Sequence, residues 1–208
     1  MKLALFGASG MIGSRILSEA LRRGHEVMAV VRHPENFAHK HKNLAVVKGD
    51  VLDVASIVEV VKGHDAVLSA VGPEPAVVTG AARALIDGLT QAGVRRLVVV
   101  GGASSLEVAP GVQLIDTPTF PKEFLAVAKA HGAALATLRK NHTLDWTYVS
   151  PAAWIAPGER TGKFRLGTDQ LVTNVKGESR ISAEDFAVAF LDEVEKPQHI
   201  RQRFTVGY

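Results

Sequence analysis

A chain of 208 residues is long enough to bury one good core and short of what two domains usually need. Lysine plus arginine exceed aspartate plus glutamate by only 24 to 21, with no run of like charges, so nucleic acid is not the indicated partner. The absence of cysteine excludes a disulfide scaffold, a thiolate nucleophile and a cysteine zinc site, and no apolar run approaches the ~18 residues of a membrane-spanning helix.

Short β-type runs alternate with amphipathic helical ones along the chain. Residues 3–6 form a first buried strand, too short for the apolar core of a signal peptide, and the cytoplasm is the expected location. Ile12, Ile16, Leu17, Ala20 and Leu21 fall on one face of a helix over 11–22, with Gly24 in the usual closing position. Strands follow at 27–31 and 44–48, and a short helix at 54–61 ends at Gly63. A fourth strand at 66–70 leads to a helix at 76–91, stopped by Gly93, and a fifth strand at 97–100. A long helix covers about 122–139, and a sixth strand at 146–149 is halted by Pro151.

The stretch 157–180 differs from the rest. It carries Gly158, Gly162, Gly167 and Gly177 between short β-type pieces and reads as loops and hairpins. We expect a single domain over 1–208, with about 151–181 as a small substrate-side lobe within it. Ser182, three residues before Asp185, makes a capping-box-like start to a helix that runs to about Glu195. A last strand covers 204–206. Apolar strands joined by helices imply an α/β fold with a parallel sheet covered on both faces. Right-handed crossovers then favour the doubly wound order 3-2-1-4-5, a Rossmann-type sheet.

The segment Gly7-Ala8-Ser9-Gly10-Met11-Ile12-Gly13 joins the first strand to the first helix. Its GxxGxxG spacing does what dinucleotide loops require: Gly7 permits the tight turn, Gly10 leaves room for a pyrophosphate, and Gly13 lets helix and sheet approach. Free N–H groups at the helix start favour the phosphates. At the end of the second strand, NAD(H) proteins usually carry an acid that accepts from the ribose. Arg32 stands there instead, 19 residues past Gly13, which favours NADP(H) through its 2′-phosphate. Asp50 and Val51 should meet the adenine, although Asp50 could equally cap the helix near Val54. Ala70, Val71 and Gly72 should meet the ribose.

Together these residues resemble the atypical short-chain dehydrogenases/reductases, and among them the small NADH-flavin reductase group related to biliverdin reductase B and NmrA-like proteins. The similarity covers nearly the whole chain, through GASGMIG, VVRHPENF, GDVLD, LSAVGP, VVVGGASSL, LDWTYVSPAAWIAPGERTGKFRLG and GESRISAEDFAVAFLDEVEKPQH to RQRFTVGY. The resemblance implies a Rossmann fold with a short C-terminal substrate lobe. One departure bears on chemistry. The wider superfamily uses a Tyr-x-x-x-Lys pair on the long helix after the fifth strand, where this chain has Phe124, Ala128 and Lys129. Its two tyrosines, Tyr148 and Tyr208, lie in a strand and at the last position. Carbonyl reduction needs a positioned acid. Flavins and quinones relax that need, because the ring spreads the charge that hydride brings.

The expected function is therefore NADPH-dependent reduction of a small conjugated acceptor such as a flavin or quinone, with no nucleic-acid, membrane or metal partner. The alternative is a non-catalytic NADP(H) sensor. Ser104 or Ser105 could donate to an acceptor carbonyl, or simply satisfy local backbone. Ser150, Pro151 and Ala152 should border the nicotinamide. Trp154 could stack on a planar acceptor or pack the lobe, and Arg160 could meet an anionic substrate or pair with an acid.

Overall fold

The computed structural model describes residues 1–208. Strand β1 (Lys2–Phe6) leads through the glycine loop into α1 (Met11–Arg22), followed by β2 (Glu26–Val31), β3 (Leu44–Lys48), α2 (Val54–Val61), β4 (Ala66–Ser69), α3 (Pro75–Ala92) and β5 (Arg96–Val100). A small hairpin, β6 (Glu107–Ala109) and β7 (Val112–Gln113), precedes α4 (Leu125–Arg139) and β8 (Asp145–Ser150). The chain ends through β9 (Trp154–Ala156), β10 (Arg165–Gly167), β11 (Arg180–Ser182), α5 (Ala183–Glu195) and β12 (Gln202–Gly207).

The main sheet has eight strands in the order β10-β12-β8-β5-β4-β1-β2-β3. All are parallel except β10, which runs antiparallel to β12. The expected 3-2-1-4-5 half is present. The order reverses at β1, whose neighbours β2 and β4 leave in opposite directions. One face is covered by α1 and α5, with Ile16, Leu17, Phe186 and Phe190 in the core. The other is covered by α2, α3 and α4, with Ile57, Leu85, Leu89, Leu135 and Leu138. These side chains are essentially inaccessible, and each such large apolar group contributes about 1.5–3 kcal/mol. No helix is long and apolar enough to cross a membrane.

Two expectations change. The long helix begins later than the sequence pattern suggests: Lys122–Phe124 is a single tight turn after Pro121, and regular α-helix starts at Leu125. The stretch 157–180 contains no hairpin. Its β10 extends the main sheet, and β9 and β11 form a parallel pair at either end of the stretch. Three-residue strands carry too little alternation to announce a partner, so the pairing is decided by what β12 leaves open. The hairpin that does form, β6–β7, lies in a stretch where the sequence suggested no element.

Asp185 holds this C-terminal region to the helix layer. It is fully buried, and its carboxylate accepts from the Thr161 hydroxyl at 2.5 Å, the Gly162 N–H at 2.7 Å and the Tyr208 hydroxyl at 2.8 Å. Ser182 caps the same helix by accepting from the Asp185 N–H at 2.9 Å. Asp185→Ala removes the one buried acceptor that these three donors share, and each of those bonds is to a charged group. We expect a loss of about 3 kcal/mol in urea unfolding, and a loss below about 1 kcal/mol would show that the network contributes little.

Candidate functional site

A cleft of about 450 Å³ opens at the carboxyl ends of β1, β2 and β4, where the sheet order reverses. This is where parallel α/β sheets place their ligands, because adjacent connections diverge there and leave a crevice. The cleft is lined by Gly7, Ser9, Gly10, Arg32, Asp50, Val51, Ala70, Val71 and Gly72 among the expected residues. Gly49, next to Asp50 in the same loop, lines it too, as do Phe6, Val30, Val31, Leu52, Pro73, Glu74 and Val77, which were not anticipated. Leu52 is an exposed leucine directly after Asp50-Val51, which is the sequence signal that could have found it.

The three glycines of the loop do different work. Gly7 has φ +82°, and a Cβ there would stand 2.4 Å from the Ala70 carbonyl oxygen. A Cβ on Gly13 would stand 2.0 Å from the Gly7 oxygen. Both positions are glycine because backbone meets backbone. Gly10 is unlike them: a Cβ would meet only the Gly7 oxygen, at an ordinary 3.4 Å. The protein therefore has room for a side chain at Gly10, and the space lies in the cleft.

Gly10 is also the N-cap of α1. No side chain caps it and no acid lies in the first turn. By contrast, Asp53 caps α2 and Ser182 caps α5. The first N–H groups of α1, on Met11, Ile12 and Gly13, are left to whatever enters, and the helix dipole favours an anion. Met11 and Ile12 can contribute only this backbone: the Met11 side chain is exposed and Ile12 packs against the core.

Arg32 lies on the rim just past β2. It is exposed and makes no hydrogen bond or ion pair with the protein, while its neighbours His33 and Glu35 pair with each other at 3.1 Å. Asp50 does not cap α2; that task falls to Asp53, which accepts from the Ala55 N–H at 3.0 Å. Instead Asp50 folds its own loop, accepting from the Leu52 N–H at 2.9 Å through Oδ1 and leaving Oδ2 unbonded. Gly49 is set by packing, since a Cβ would meet Val30 at 2.4 Å.

The groups expected around the reacting ring do not line this cleft. Ser104 is buried and its hydroxyl donates to the Ala128 carbonyl of α4 at 3.2 Å. The Ser105 hydroxyl accepts from the buried Arg203 guanidinium at 2.8 Å. Ser104 is therefore not a free donor at the end of β5, while Ser105 keeps its own proton to donate. Ser150 donates to the Gly102 carbonyl at 2.9 Å, and Ser150, Pro151 and Ala152 are all buried and do not line the cleft. Trp154 is two-thirds exposed, outside the cleft, and no aromatic ring stacks on it. Arg160 is no substrate group of the cleft: it lies against α1, paired through two nitrogens with Glu19 at 2.9 and 3.0 Å.

Tyr148 and His131 form a closed pair beneath the β5 loop. The Tyr148 hydroxyl donates to the His131 carbonyl at 3.1 Å, stands 3.3 Å from His131 Nδ1, and accepts from the Gly102 N–H at 3.2 Å. Burial pushes the hydroxyl far above its usual range. Burial also holds the imidazole down, from 6.5 to about 4, so it is neutral at neutral pH.

The match to known proteins accords with the cleft. Residues 7–197 match the family model for NAD(P)H-binding proteins. The chain belongs to that family. A protein of Bacillus subtilis named "Uncharacterized protein YwnB" is 44% identical over 99% of this chain and 98% of its own. The structure of a "putative exported protein" from Burkholderia pseudomallei superposes with a TM-score of 0.93 at 52% identity, covering 100% of both chains. That of SP1627, "a putative NADH-flavin reductase" of Streptococcus pneumoniae, superposes with a TM-score of 0.88 at 37% identity, covering 100% of this chain and 99% of its own. The fold and family are thus those that the atypical short-chain reductase resemblance implies.

Two outcomes are expected from this geometry. Gly10→Val should leave the apo melting temperature near wild type and abolish dinucleotide binding, because its side chain fills ligand space; wild-type affinity in calorimetry would remove the loop from the site. The second concerns pH. A histidine whose folded pKa is depressed adds stability above its unfolded value of 6.5, and that stability is lost as pH falls towards about 4. His131 should account for about 3 kcal/mol of the loss across that window. Urea melts of His131→Leu should show a correspondingly flatter pH profile, and an unchanged slope would place the titration elsewhere.

Proposed function

We propose that the chain is an oxidoreductase that uses NADPH to reduce a small conjugated acceptor of the flavin or quinone type. The observation that carries the cofactor choice is the unpaired Arg32 guanidinium on the rim of a cleft whose phosphate end is an uncapped helix. A guanidinium with no protein partner suits a 2′-phosphate, and no acid lining the end of β2 competes for the ribose hydroxyls. The loop at Gly7, Gly10 and Gly13 would hold the pyrophosphate, with Asp50, Val51 and Leu52 against the adenine and Ala70, Val71 and Gly72 against the ribose. Bound there, NADPH would supply a hydride.

What the chain's own residues withhold supports the acceptor class. The Ser104 and Ser150 hydroxyls donate to backbone carbonyls, the Ser105 hydroxyl is held by Arg203 outside the cleft, and the Tyr148 hydroxyl is buried between His131 and Gly102. A simple carbonyl gains a localised charge as it is reduced and needs a donor aimed at it. A conjugated ring spreads that charge and can take its proton from water. The residues then need only hold the two rings face to face. The Streptococcus relative's name points to the same chemistry.

The test is affinity and turnover together. Arg32→Ala should weaken NADPH binding by about 1.5–3 kcal/mol, roughly ten- to 150-fold, and leave NADH nearly unchanged. Equal losses for both would end the 2′-phosphate role. NADPH oxidation against flavins, quinones and simple carbonyls should show turnover with the conjugated acceptors, and Tyr148→Phe should retain most of it. A several-hundredfold collapse in that variant, with folding and cofactor affinity intact, would make a tyrosine the acid and overturn the acceptor argument.

A further inference from the structure

A second concavity, of about 400 Å³, runs along the outer side of α1 and is lined by no apolar residue. Ser14, Arg15, Ser18, Glu19 and Arg22 come from the helix, and His39, Arg160 and Glu184 close it from three other segments. With 1.5 Å of rise per residue, it extends roughly 6–18 Å along α1 from Gly10, past the phosphate end of the dinucleotide cleft. It shares no residue with that cleft.

At its floor lies Glu19, 5% exposed, on which five hydrogen bonds from three arginines converge: two from Arg22, one from Arg23 and two from Arg160. Arg23 is also balanced by Asp192 and Glu195, so Arg22 and Arg160 share Glu19 alone and one of their two charges is uncompensated. The carboxylate also fixes how those cations point. Arg22 and Arg160 both engage Glu19 through Nε and Nη2, so Nη1 of each makes no bond. Arg15 spends Nε on Glu184 and Nη1 on the Met11 carbonyl and Ser14 hydroxyl, so its Nη2 is also unbonded. The His39 ring has no hydrogen-bond partner. Three arginines against two carboxylates leave the lining at +1 with the imidazole neutral.

We propose that this concavity is a second anion site, built for the phosphate group of a small polar ligand. Three guanidiniums that line this one space, each held in place beforehand, keep a nitrogen without a protein acceptor, and a phosphate supplies the several acceptor oxygens that such a set can use. Preorganisation by Glu19 and Glu184 removes the cost of ordering long side chains on binding. The all-polar wall suits a phosphorylated sugar or free phosphate and not an aromatic or acyl ligand. An occupant would join three segments to α1: the one bearing His39, which follows Arg32, the one bearing Arg160, and the start of α5.

Calorimetric titration with inorganic phosphate and with glucose 6-phosphate tests this on the full chain. Saturable binding of both is expected in wild type and in Arg32→Ala. Arg22→Gln should weaken it at least roughly fivefold, the loss of one partly exposed charged hydrogen bond. Arg22 is more than half exposed, and Glu19 keeps two arginines without it. Should that variant nevertheless fail to fold, Ser18→Asp leaves every guanidinium in place while setting a like charge against the ligand, and it should abolish binding where Ser18→Asn does not. Tighter binding of the sugar phosphate identifies a phosphorylated metabolite, and equal binding identifies free phosphate; both support the site. No saturable binding at millimolar ligand would overturn the proposal. So would binding lost in Arg32→Ala and kept in Arg22→Gln, which would assign the anion to the dinucleotide cleft.

Discussion

The close contact between three backbone segments at the start of α1 sets the position of everything around it. The Gly7 carbonyl lies where a Cβ of Gly13 would be, and the Ala70 carbonyl lies where a Cβ of Gly7 would be. Only glycine allows β1, α1 and the end of β4 to meet at that distance. The result is that the helix begins at the point where the sheet order reverses, with its first N–H groups facing the crevice between β2 and β4. A side chain at either glycine would lift α1 off the sheet and move the phosphate end of the cleft with it. Gly10, which the protein's own packing does not require to be glycine, marks where that constraint ends and the ligand's begins.

The helix so placed is held from its other side by charge. Arg23 reaches Asp192 and Glu195 of α5 at 2.8 Å, Arg15 reaches Glu184 at 3.0 Å, and Arg160 joins Glu19 from the segment between β9 and β10. His25 extends the chain of contacts, with Nε2 at 2.9 Å from Glu195. These pairs cross between α1 and elements about 140–170 residues away in sequence. They orient a helix layer whose apolar contact alone would tolerate sliding. Arg96, Glu193, Thr147 and His199 tie the same C-terminal turn of α5 to β5 and β8, where the buried Arg96 guanidinium bonds to both the Glu193 carboxylate and the Thr147 hydroxyl.

At the ends of β5 and β8 the polar groups serve the scaffold. Gly101 is glycine because a Cβ would stand 2.0 Å from the Tyr148 ring, and Gly102 offers both its N–H and its carbonyl to neighbouring side chains, Tyr148 and Ser150. The β5 loop is thereby pinned from below by Tyr148 and His131, and from the side by Arg203 on Ser105. The Ser104 and Ser150 protons are spent on backbone carbonyls of the scaffold.

Much of this was legible in the chain itself. The apolar period of each strand and helix, the glycine stops at Gly24, Gly63 and Gly93, and the loop from Gly7 to Gly13 are local signals, because dihedral freedom and hydrophobic period are properties of neighbouring residues. They determined the sheet order around β1, the location of the cleft, and the cation at Arg32. What they could not determine were the partners of long polar side chains. Ser104 and Ser105 stand at the right end of the right strand, yet whether a hydroxyl is free depends on Ala128, 24 residues away, and on Arg203, 98 residues away. Arg160 was read as facing a substrate or an acid, and Glu19, 141 residues distant, decided for the acid. The three-residue strand β10 likewise has no pattern of its own and exists because β12 offers an open edge. Periodicity carries the backbone's information locally; hydrogen-bond partners are a matter of distance in space, and only the packed tertiary structure supplies that.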